Sequence, residues 1–452
     1  LTQKMLLTFD MIRRLLRRNA INNVKKIILK IHPADIAHIF RYFDEHERDT
    51  IFNIATEDLD KATEILSELE LNESARLLTK LDKEKAFHIL QRLSPDDAAD
   101  IIGSMPEEAR DEMLQLMKKE DSADVEALLT YNDKTAGGIM TVDYFALNEM
   151  ITAKEAIEAI QNAEEAEMVF YLYVVDERNH LVGVISLRQL ITVPPNTRLK
   201  KIMNTDVISV RTDLDQEEVA KIVSRYNLLA VPVVDNENKL VGIITVDDVI
   251  DVIREEATED FLKMAGTGEE EIVNRSIFTS IKLRIPWMIG TLIGEGIIGA
   301  TIINKFHSIL ETVVVLASFL PAIMAIGGNV GNQSATIVVR GLATGKINIK
   351  QLWKIIFKEI RVGFILGIIY GILLGLISLI LQKELAIIGV IIGLSVVISM
   401  TSAAFIGTFI PMVLKRLGID PAVATNPFVT TSMDILGMIF YFLTATIFLS
   451  IS

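Results

Sequence analysis

Residues 281–452 are dominated by long apolar runs that short polar segments separate. The hydrocarbon core of a membrane is about 30 Å thick, so an α-helix needs roughly 20 apolar residues to cross it. Five runs reach that length and predict five transmembrane helices. They cover approximately Ile285–Ile303, Thr312–Gly328, Val362–Leu381, Ala386–Leu414 and Phe428–Ile451.

Residues 1–135 show a different pattern, in which Ala, Leu and Ile recur at helical spacing between short polar breaks. The segment NESARLLTKLDKEKAFHIL (72–90) matches DDAADIIGSMPEEARDEML (96–114) at a shift of 24 residues. Such self-similarity predicts stacked short helices, an arrangement that binds or braces rather than catalyses. We therefore predict an acidic, all-α superhelical repeat N-domain over residues 1–135.

Residues 136–253 contain two copies of one pattern. The first copy has GGIMTVDYFAL, a helical stretch and YLYVVDERNHLVGVISLRQL; the second has KKIMNTDVISV, a helical stretch and LAVPVVDNENKLVGIITVDDV. Each copy reads strand, helix, strand, turn, strand, helix. The pattern resembles tandem cystathionine-β-synthase (CBS) domains, which are α/β modules that typically bind adenine nucleotides between the two copies.

The resemblance to CBS domains implies a nucleotide site. Thr245 and Asp248 fall on the T-x-x-D positions that in this family hold phosphate and ribose, and Ser209 and Arg188 are further candidates for an ATP site in the cleft. The first copy has Gln189 where the acid would stand. We therefore expect at most one good nucleotide site per chain; the alternative is a dimerisation module with an empty cleft.

The charged residues divide the chain into two parts. Residues 1–270 carry 32 Lys and Arg against 52 Asp and Glu, a net charge of −20, whereas residues 271–452 carry 13 against 7, a net charge of +6. The whole chain has a net charge of −14, is half apolar and contains no cysteine. This composition excludes a disordered or collagen-like chain, a disulfide framework and any thiolate chemistry.

Basic residues between the apolar runs predict their orientation, because Lys and Arg are retained on the cytoplasmic side. Eleven of them precede the first run or lie between the second and third or the fourth and fifth, whereas only Lys305 and Lys383 lie on the other side. We expect a multi-pass protein of the cell inner (plasma) membrane, with its N-terminus and acidic region in the cytoplasm and its C-terminus outside.

Two acidic residues, Glu295 and Asp434, interrupt the apolar runs, and each costs on the order of 2.5–3.5 kcal/mol near a helix centre. Asn426, Thr430 and Asp434 recur every four residues and form an oxygen-bearing stripe on one helix. Such a stripe is typical of a cation path; the alternative is that small polar residues hold helices together. Glu295, between glycines in GTLIGEGIIG, is equally compatible with a protonated acid in a helix–helix hydrogen bond.

A polar segment ends the second apolar run, in PAIMAIGGNVGNQSATIVVRGLATGK (321–346). Its glycines and amides predict flexible backbone at membrane depth, which is tolerated only where it faces protein or water. We therefore expect this segment to line a cavity. Pro411, Pro421 and Pro427 are similarly expected to interrupt the last two runs.

Carboxylates crowd the region that precedes the first apolar run, where we predict an acidic connecting (plug) helix over 254–280 before a membrane domain over 281–452. A charge run usually marks a solvated helix face, but an excess of 20 negative charges beneath a membrane favours bridging by cations. Asp96, Asp97 and Asp100 cluster at one helix start, where capping is the alternative role for Asp96 and Asp97.

The order of these segments, together with GGNVGNQ and DPAVATNPFVTTSMD, resembles bacterial MgtE-type magnesium channels or transporters. The resemblance implies a homodimer in the lipid bilayer, with a pore at its interface lined by Asp434 and Asn426. Thr430 departs from the family, in which alanine is frequent there. The resemblance also implies regulatory Mg²⁺ at acidic residues of the N-domain, the CBS pair, the connecting helix and the membrane domain: Asp96, Asp97, Asp100, Asp248, Asp251, Glu256, Glu259, Asp260 and Asp420.

The residue types suit Mg²⁺ independently of the resemblance, because this ion prefers oxygen ligands and dehydrates reluctantly. Transition-metal carriers would normally show His or Cys in their spans, and none of the six histidines falls in a predicted span. We expect Mg²⁺ to be both transported and regulatory, closing the pore at high cytoplasmic concentration, with ATP as a modulator and no nucleic-acid partner. The alternatives are a membrane sensor without transport, a transporter of Co²⁺ or Mn²⁺, and a membrane enzyme, although the spans show no catalytic constellation.

Overall fold

The computed structural model describes residues 3–162, 171–268, 277–381, 386–424 and 428–451. Within these ranges the chain forms two compact units, Leu1–Val252 and Ile253–Ser452. Asn426 and Pro427, for which the sequence makes specific predictions, lie outside the described residues, as does 269–276 of the predicted connecting helix.

The first part of the chain is helical, as the repeat predicts. Side chains of Asp44, Asp58 and Asp82 each accept a hydrogen bond from a backbone N–H three residues later, which is why helices begin at the polar breaks. The helices are α1 (Gln3–Arg17), α2 (Ile21–Ile28), α3 (Pro33–Phe40), α4 (Glu45–Ala55), α5 (Leu59–Ser67), α6 (Leu71–Lys80), α7 (Lys83–Leu90), α8 (Pro95–Gly103), α9 (Glu107–Leu116) and α10 (Lys119–Leu128).

Each CBS copy contains a three-stranded sheet with one parallel and one antiparallel pair, in the predicted order of strands and helices. The first copy comprises β1 (Ala146–Asn148), α11 (Ala153–Asn162), β2 (Tyr171–Val175), β3 (Leu181–Ser186) and α12 (Leu187–Thr192). The second comprises β4 (Val210–Arg211), α13 (Gln216–Tyr226), β5 (Ala230–Val234), β6 (Leu240–Thr245) and the long α14 (Val246–Ala265).

Equivalent bridges relate the two CBS copies. Thr141 pairs with Ile243 of β6, and at the corresponding positions Asn204 pairs with Val184 of β3. The core of the second copy is continuous with that of the N-terminal helices, since Ile101 and Val249 belong to one buried cluster. The N-terminal helices and the second copy therefore pack as one body, and the first copy has a core of its own.

Five helical segments of the described chain are long and apolar enough to cross a membrane, which confirms the predicted number. They are Ile277–Lys305, Val315–Ala343, Ile349–Leu381, Ile387–Arg416 and Thr430–Ser450. The first consists of α15 (Ile277–Thr291), a π-helical segment (Leu292–Ile298) and α16 (Gly299–Lys305), and a short α17 (His307–Thr312) follows it. The others contain α18 (Val315–Ala343), α19 (Leu352–Leu381), α20 (Ala386–Arg416) and α21 (Thr430–Ile451).

The prediction of flexible backbone in the polar segment is wrong, because residues 327–333 are helical within α18. The glycines serve close helix packing instead: a Cβ atom on Gly407 of α20 would lie 2.2 Å from the carbonyl oxygen of Gly331. Pro411 likewise lies inside α20 without ending it, whereas Pro421 begins a short 3₁₀ turn (Pro421–Ala424) before α21.

A second glycine contact joins α19 and α20. Gly363, Gly367, Gly371 and Gly375 recur every four residues on α19 and are buried. A Cβ atom on Gly371 would lie 2.5 Å from the carbonyl oxygen of Gly393, so the two backbones touch. These glycines therefore allow α19 and α20 to pack in direct backbone contact.

Candidate functional site

The two acidic residues that interrupt the apolar runs meet in the structure. Asp434 of α21 is 9% exposed, and its carboxyl group lies within hydrogen-bond reach of the carboxyl group of Glu295. Glu295 belongs to the π-helical segment, and a Cβ atom on the preceding Gly294 would overlap the side chain of Thr431. The glycine therefore allows the first membrane segment to approach α21 at the level of the acids.

A hydroxyl oxygen and an amide oxygen extend this polar site. Thr430, one helical turn before Asp434, donates a hydrogen bond from Oγ1 to Oδ1 of Asn332 at 3.2 Å. Asn332 belongs to the polar segment of α18. That segment therefore contributes a side-chain oxygen to the site, while its backbone is helical. We call Glu295, Asn332, Thr430 and Asp434 the polar seam. Glu295 and Thr430 also line a cavity of about 550 Å³ beside it.

Another buried acid of the membrane unit, Glu359 of α19, was missed by the sequence reasoning. It is 4% exposed; its Oε2 accepts a hydrogen bond from Oγ of buried Ser334 at 2.9 Å, and its Oε1 lies 3.1 Å from Nζ of Lys358. Ser334 lies on α18, two residues beyond Asn332. Glu359 had a detectable signature, since it continues the four-residue spacing of the buried glycines of α19.

Replacing Glu359 by leucine should destabilise the membrane unit, because the Ser334 hydroxyl loses its buried acceptor. The loss of a buried hydrogen bond to a charged group costs about 1.5–3 kcal/mol. Glu359→Gln keeps an acceptor oxygen and should retain most of the stability. Thermal unfolding in detergent measures both, with Glu311→Leu as the control because the Glu311 side chain is 70% exposed. Equal melting temperatures for Glu359→Leu and wild type would contradict this role.

In the first unit, acidic residues from three elements converge on one cavity of about 510 Å³. Asp96 and Asp97 come from the start of α8, and Asp248 and Asp251 come from α14. The complete set of lining carboxylates is Glu64, Glu68, Asp96, Asp97, Asp143, Asp247, Asp248 and Asp251, and Arg92 is the basic side chain among the lining residues. The sequence predictions for Asp96 and Asp97 and for the start of α14 therefore meet here, whereas Asp100, one turn further along α8, is not among the lining residues.

The charges that line this cavity and that of nearby Asp100 perturb one another. Burial, together with the nearby negative charge of Asp96, raises the pKa of Asp248 to about 7, although a hydrogen bond from Thr245 opposes the rise. Burial and the charges of Asp96 and Asp97 raise the pKa of Asp100 to about 7 as well, and burial raises the pKa of Asp97. A cation placed among these carboxylates would therefore reduce their mutual repulsion.

One oxygen of the cavity wall also lacks a donor. Oδ1 of Asp96 is buried and has no hydrogen-bond partner among the described residues. In the same described ranges, no three His, Asp or Glu side chains converge closely enough to hold a metal ion directly. Buried carboxylate oxygens of this kind suit Mg²⁺ that keeps its waters, because such waters donate hydrogen bonds to them.

The raised pKa of Asp248 predicts a loss of stability with increasing pH in Mg²⁺-free buffer. A carboxyl group whose pKa is higher in the folded chain than in the unfolded chain, about 3.9, stabilises the fold fully below that value. This contribution is lost as the pH rises to about 7. We therefore expect the difference in melting temperature, wild type minus Asp248→Asn, to decrease as the pH rises from about 4 to about 7. A difference that stays constant or grows over this interval would contradict the assignment.

Two of the four nucleotide candidates line the acidic cavity. Thr245 and Asp248 line the acidic cavity with Thr141 and Asp143, and Oγ1 of Thr245 donates to Oδ2 of Asp248. Arg188 and Ser209 do not line that cavity. At the equivalent place in the other half of the pair, Gln189 donates a hydrogen bond to the carbonyl oxygen of Ile202.

The remaining acids lie on α14 or next to α21. Glu256, Glu259 and Asp260 follow Asp251 along α14, as their helical spacing predicts. Asp420 precedes the 3₁₀ turn before α21 and is joined to Glu259 by Lys263, whose Nζ lies 2.7 Å from Oδ2 of Asp420 and 2.6 Å from Oε1 of Glu259. An ammonium group thus occupies the position between two predicted metal ligands.

Three family models match successive parts of the chain. Residues 31–134 match the MgtE intracellular N domain, residues 136–196 and 199–255 match CBS domains, and residues 320–444 match a divalent cation transporter. Together with the five spans and the polar seam, these matches define a membrane protein of the cation-transporter class. The chain belongs to the MgtE family of magnesium transporters.

This assignment rests on a relative that matches nearly the whole chain and on others that match one half to three quarters of it. The magnesium transporter MgtE of Bacillus subtilis is 36% identical over 436 residues, 96% of each chain. The magnesium transporter MgtE of Thermus thermophilus is 39% identical over 337 residues, 72% of each chain. A crystal structure of the cytosolic domain of the Mg²⁺ channel MgtE in complex with ATP is 38% identical with a TM-score of 0.50, covering 53% of this chain and 98% of that one.

Proposed function

We propose that this protein is a Mg²⁺-selective channel or transporter that takes up magnesium across the plasma membrane as a homodimer. The observation that carries the proposal is the polar seam, in which the buried carboxyl group of Asp434 meets Glu295 inside a unit of five apolar spans. Acidic residues at this depth are costly and mark ion pathways. The choice of Mg²⁺ rests on the names of the relatives, which are magnesium transporters.

The donor set of the seam suits a hydrated ion. Carboxyl, amide and hydroxyl oxygens accept hydrogen bonds from the waters that Mg²⁺ retains, so the ion need not lose its shell. In a homodimer each chain would contribute one Asp434, and Asn426 is a further pore candidate that rests on the sequence alone. The Lys and Arg bias of the loops supports a cytoplasmic N-terminus and an external C-terminus.

Regulation by cytoplasmic Mg²⁺ follows from the carboxylates of the first unit and of α14. At high concentration Mg²⁺ offsets the repulsion among Asp96, Asp97, Asp100, Asp248 and Asp251 and holds their elements together. Glu256, Glu259, Asp260 and Asp420 are the further carboxylates that the sequence assigns to regulation by Mg²⁺. At low concentration repulsion separates these elements and the pore opens, a shift in populations that the ligand drives.

A modulating role for ATP rests on the CBS pair, because a related cytosolic domain was solved with ATP. Thr245 and Asp248 would hold the nucleotide, with Ser209 and Arg188 as further contacts. Since Asp248 also lines the acidic cavity, bound nucleotide and regulatory Mg²⁺ would influence each other there. We assign the N-domain to 1–135, the CBS pair to 136–253, the connecting helix to 254–280 and the membrane domain to 281–452.

The ion selectivity is tested by flux into proteoliposomes that contain the purified full chain. We expect Mg²⁺ uptake above that of protein-free liposomes, with little inhibition by equimolar Ca²⁺, Mn²⁺ or Co²⁺. Uptake of Co²⁺ or Mn²⁺ in preference to Mg²⁺ would overturn the choice of ion. A lack of flux for every divalent cation would favour a sensor that does not transport.

A further inference from the structure

Lys263 lies at a junction between the connecting helix and the helix that carries Asp434. Its ammonium group contacts Glu259 one turn earlier on α14 and Asp420 in the segment before α21. The side chains of Lys263, Glu259 and Asp420 are 29%, 21% and 36% exposed, so the contact is partly shielded from water. Such shielding strengthens an ion pair relative to one on the open surface.

Asp420 also contacts the turn that precedes α21. While Oδ2 accepts from Lys263, Oδ1 accepts a hydrogen bond from the backbone N–H of Ala422 at 2.8 Å. Ala422 belongs to the 3₁₀ turn Pro421–Ala424, which leads toward α21 and the polar seam. One carboxylate therefore ties the connecting helix to the turn that precedes the proposed pore helix.

The ammonium group supplies the positive charge that the sequence assigned to a metal ion. Glu259 and Asp420 come from different elements and would repel each other without a cation between them. Nζ of Lys263 lies 2.6 Å from Oε1 of Glu259 and 2.7 Å from Oδ2 of Asp420, so its ammonium group supplies that cation. The cation is thus covalently part of the chain and present at any Mg²⁺ concentration.

We infer that Lys263 is a positioning residue of the gate: it holds the connecting helix against the turn before α21 without Mg²⁺ and so lowers the Mg²⁺ concentration needed to close the pore. The inference rests on the proposed function, because it identifies the contact with the closed pore. Regulatory Mg²⁺ then acts at the other carboxylates, and the Glu259–Asp420 pair does not require it.

The first test measures Mg²⁺ flux through the full chain in proteoliposomes while Mg²⁺ is varied on the side of the acidic unit. For Lys263→Met, the Mg²⁺ concentration that halves the flux should rise about threefold or more, as expected for loss of a partly shielded ion pair. The maximal flux at the lowest Mg²⁺ concentration should not change. Lys263→Arg keeps the charge and should stay close to wild type.

Lys221→Met provides a matched control. Nζ of Lys221 lies 3.0 Å from Glu217 and 2.9 Å from Glu218, and its side chain is 25% exposed, but both partners lie on its own helix. It should leave the half-closing Mg²⁺ concentration unchanged. The inference is overturned if Lys263→Met behaves like wild type, or if Lys221→Met produces the same shift.

A second test does not depend on flux. A carbodiimide joins an amine to a carboxylate only where the two groups touch, forming an amide with loss of water. Mass spectrometry of the wild-type chain should find a Lys263–Asp420 link in Mg²⁺-free buffer, and its absence at every Mg²⁺ concentration would overturn the inference. If the link forms but wild type carries no Mg²⁺, the proposed function fails while the contact stands. If wild-type flux is closed by Mg²⁺ and Lys263→Met shifts nothing, the inference fails alone.

Discussion

Replacing Asp434 by alanine is expected to reduce Mg²⁺ uptake to the level of protein-free liposomes. The carboxyl group is buried in the membrane unit and meets Glu295, so its removal takes away the negative charge that offsets desolvation of a divalent cation. Asp434→Asn preserves the shape and most hydrogen bonds, and it should lose flux almost as completely because it lacks the charge. The measurement is the initial rate of Mg²⁺ entry.

Folding must be separated from transport in this experiment. Glu311→Gln is the matched control, since Glu311 is an exposed acid of the same unit that pairs with His307. It should retain wild-type flux, and the melting temperature of Asp434→Asn should remain close to that of wild type. Normal uptake by Asp434→Asn and Asp434→Ala would show that the polar seam only holds helices together.

Neutralising the acidic cavity is the second change with a large expected effect. The triple variant Asp96→Asn, Asp100→Asn and Asp248→Asn removes three charges whose mutual repulsion Mg²⁺ is proposed to offset. In Mg²⁺-free buffer we expect slower proteolysis of residues 1–275 than in wild type, because the repulsion is gone. Between zero and tens of millimolar Mg²⁺, the cleavage rate of wild type should fall severalfold, whereas that of the variant should change little.

An equal loss of charge elsewhere separates the cavity from a general effect of net charge. Glu107→Gln, Glu108→Gln and Asp111→Asn remove three exposed charges of α9 that do not line the cavity. This variant should keep the wild-type response to Mg²⁺. The cavity assignment is wrong if both triple variants respond alike, or if wild-type proteolysis is indifferent to Mg²⁺.

The fold class could be predicted from sequence because it depends on local pattern. Long apolar runs define the five spans, and the two CBS copies repeat one order of strands and helices. The polar segment of α18 was predicted incorrectly because glycine suggests flexible backbone when only local sequence is considered. In the structure the segment is helical and packs closely against α20, where the lack of a side chain on Gly407 admits the carbonyl of Gly331.

The candidate site was predicted in its residue types but not in its contacts. Glu295 and Asp434 were each noticed, yet their meeting depends on how the π-helical segment packs against α21. Glu359 was overlooked because the third predicted span began at Val362, three residues later. Lys263 was overlooked because the reasoning counted carboxylates, although a lysine four residues after Glu259 is a spacing that favours an ion pair.

The most direct test of the account is the dependence of Mg²⁺ flux on Mg²⁺ at the acidic unit. Purified full chain in proteoliposomes would be supplied with Mg²⁺ outside, while the concentration facing the acidic unit is clamped between zero and tens of millimolar. The account predicts rapid entry at the low end and progressive closure toward the high end. Flux that never exceeds the protein-free background, or that stays constant across the range, would contradict it.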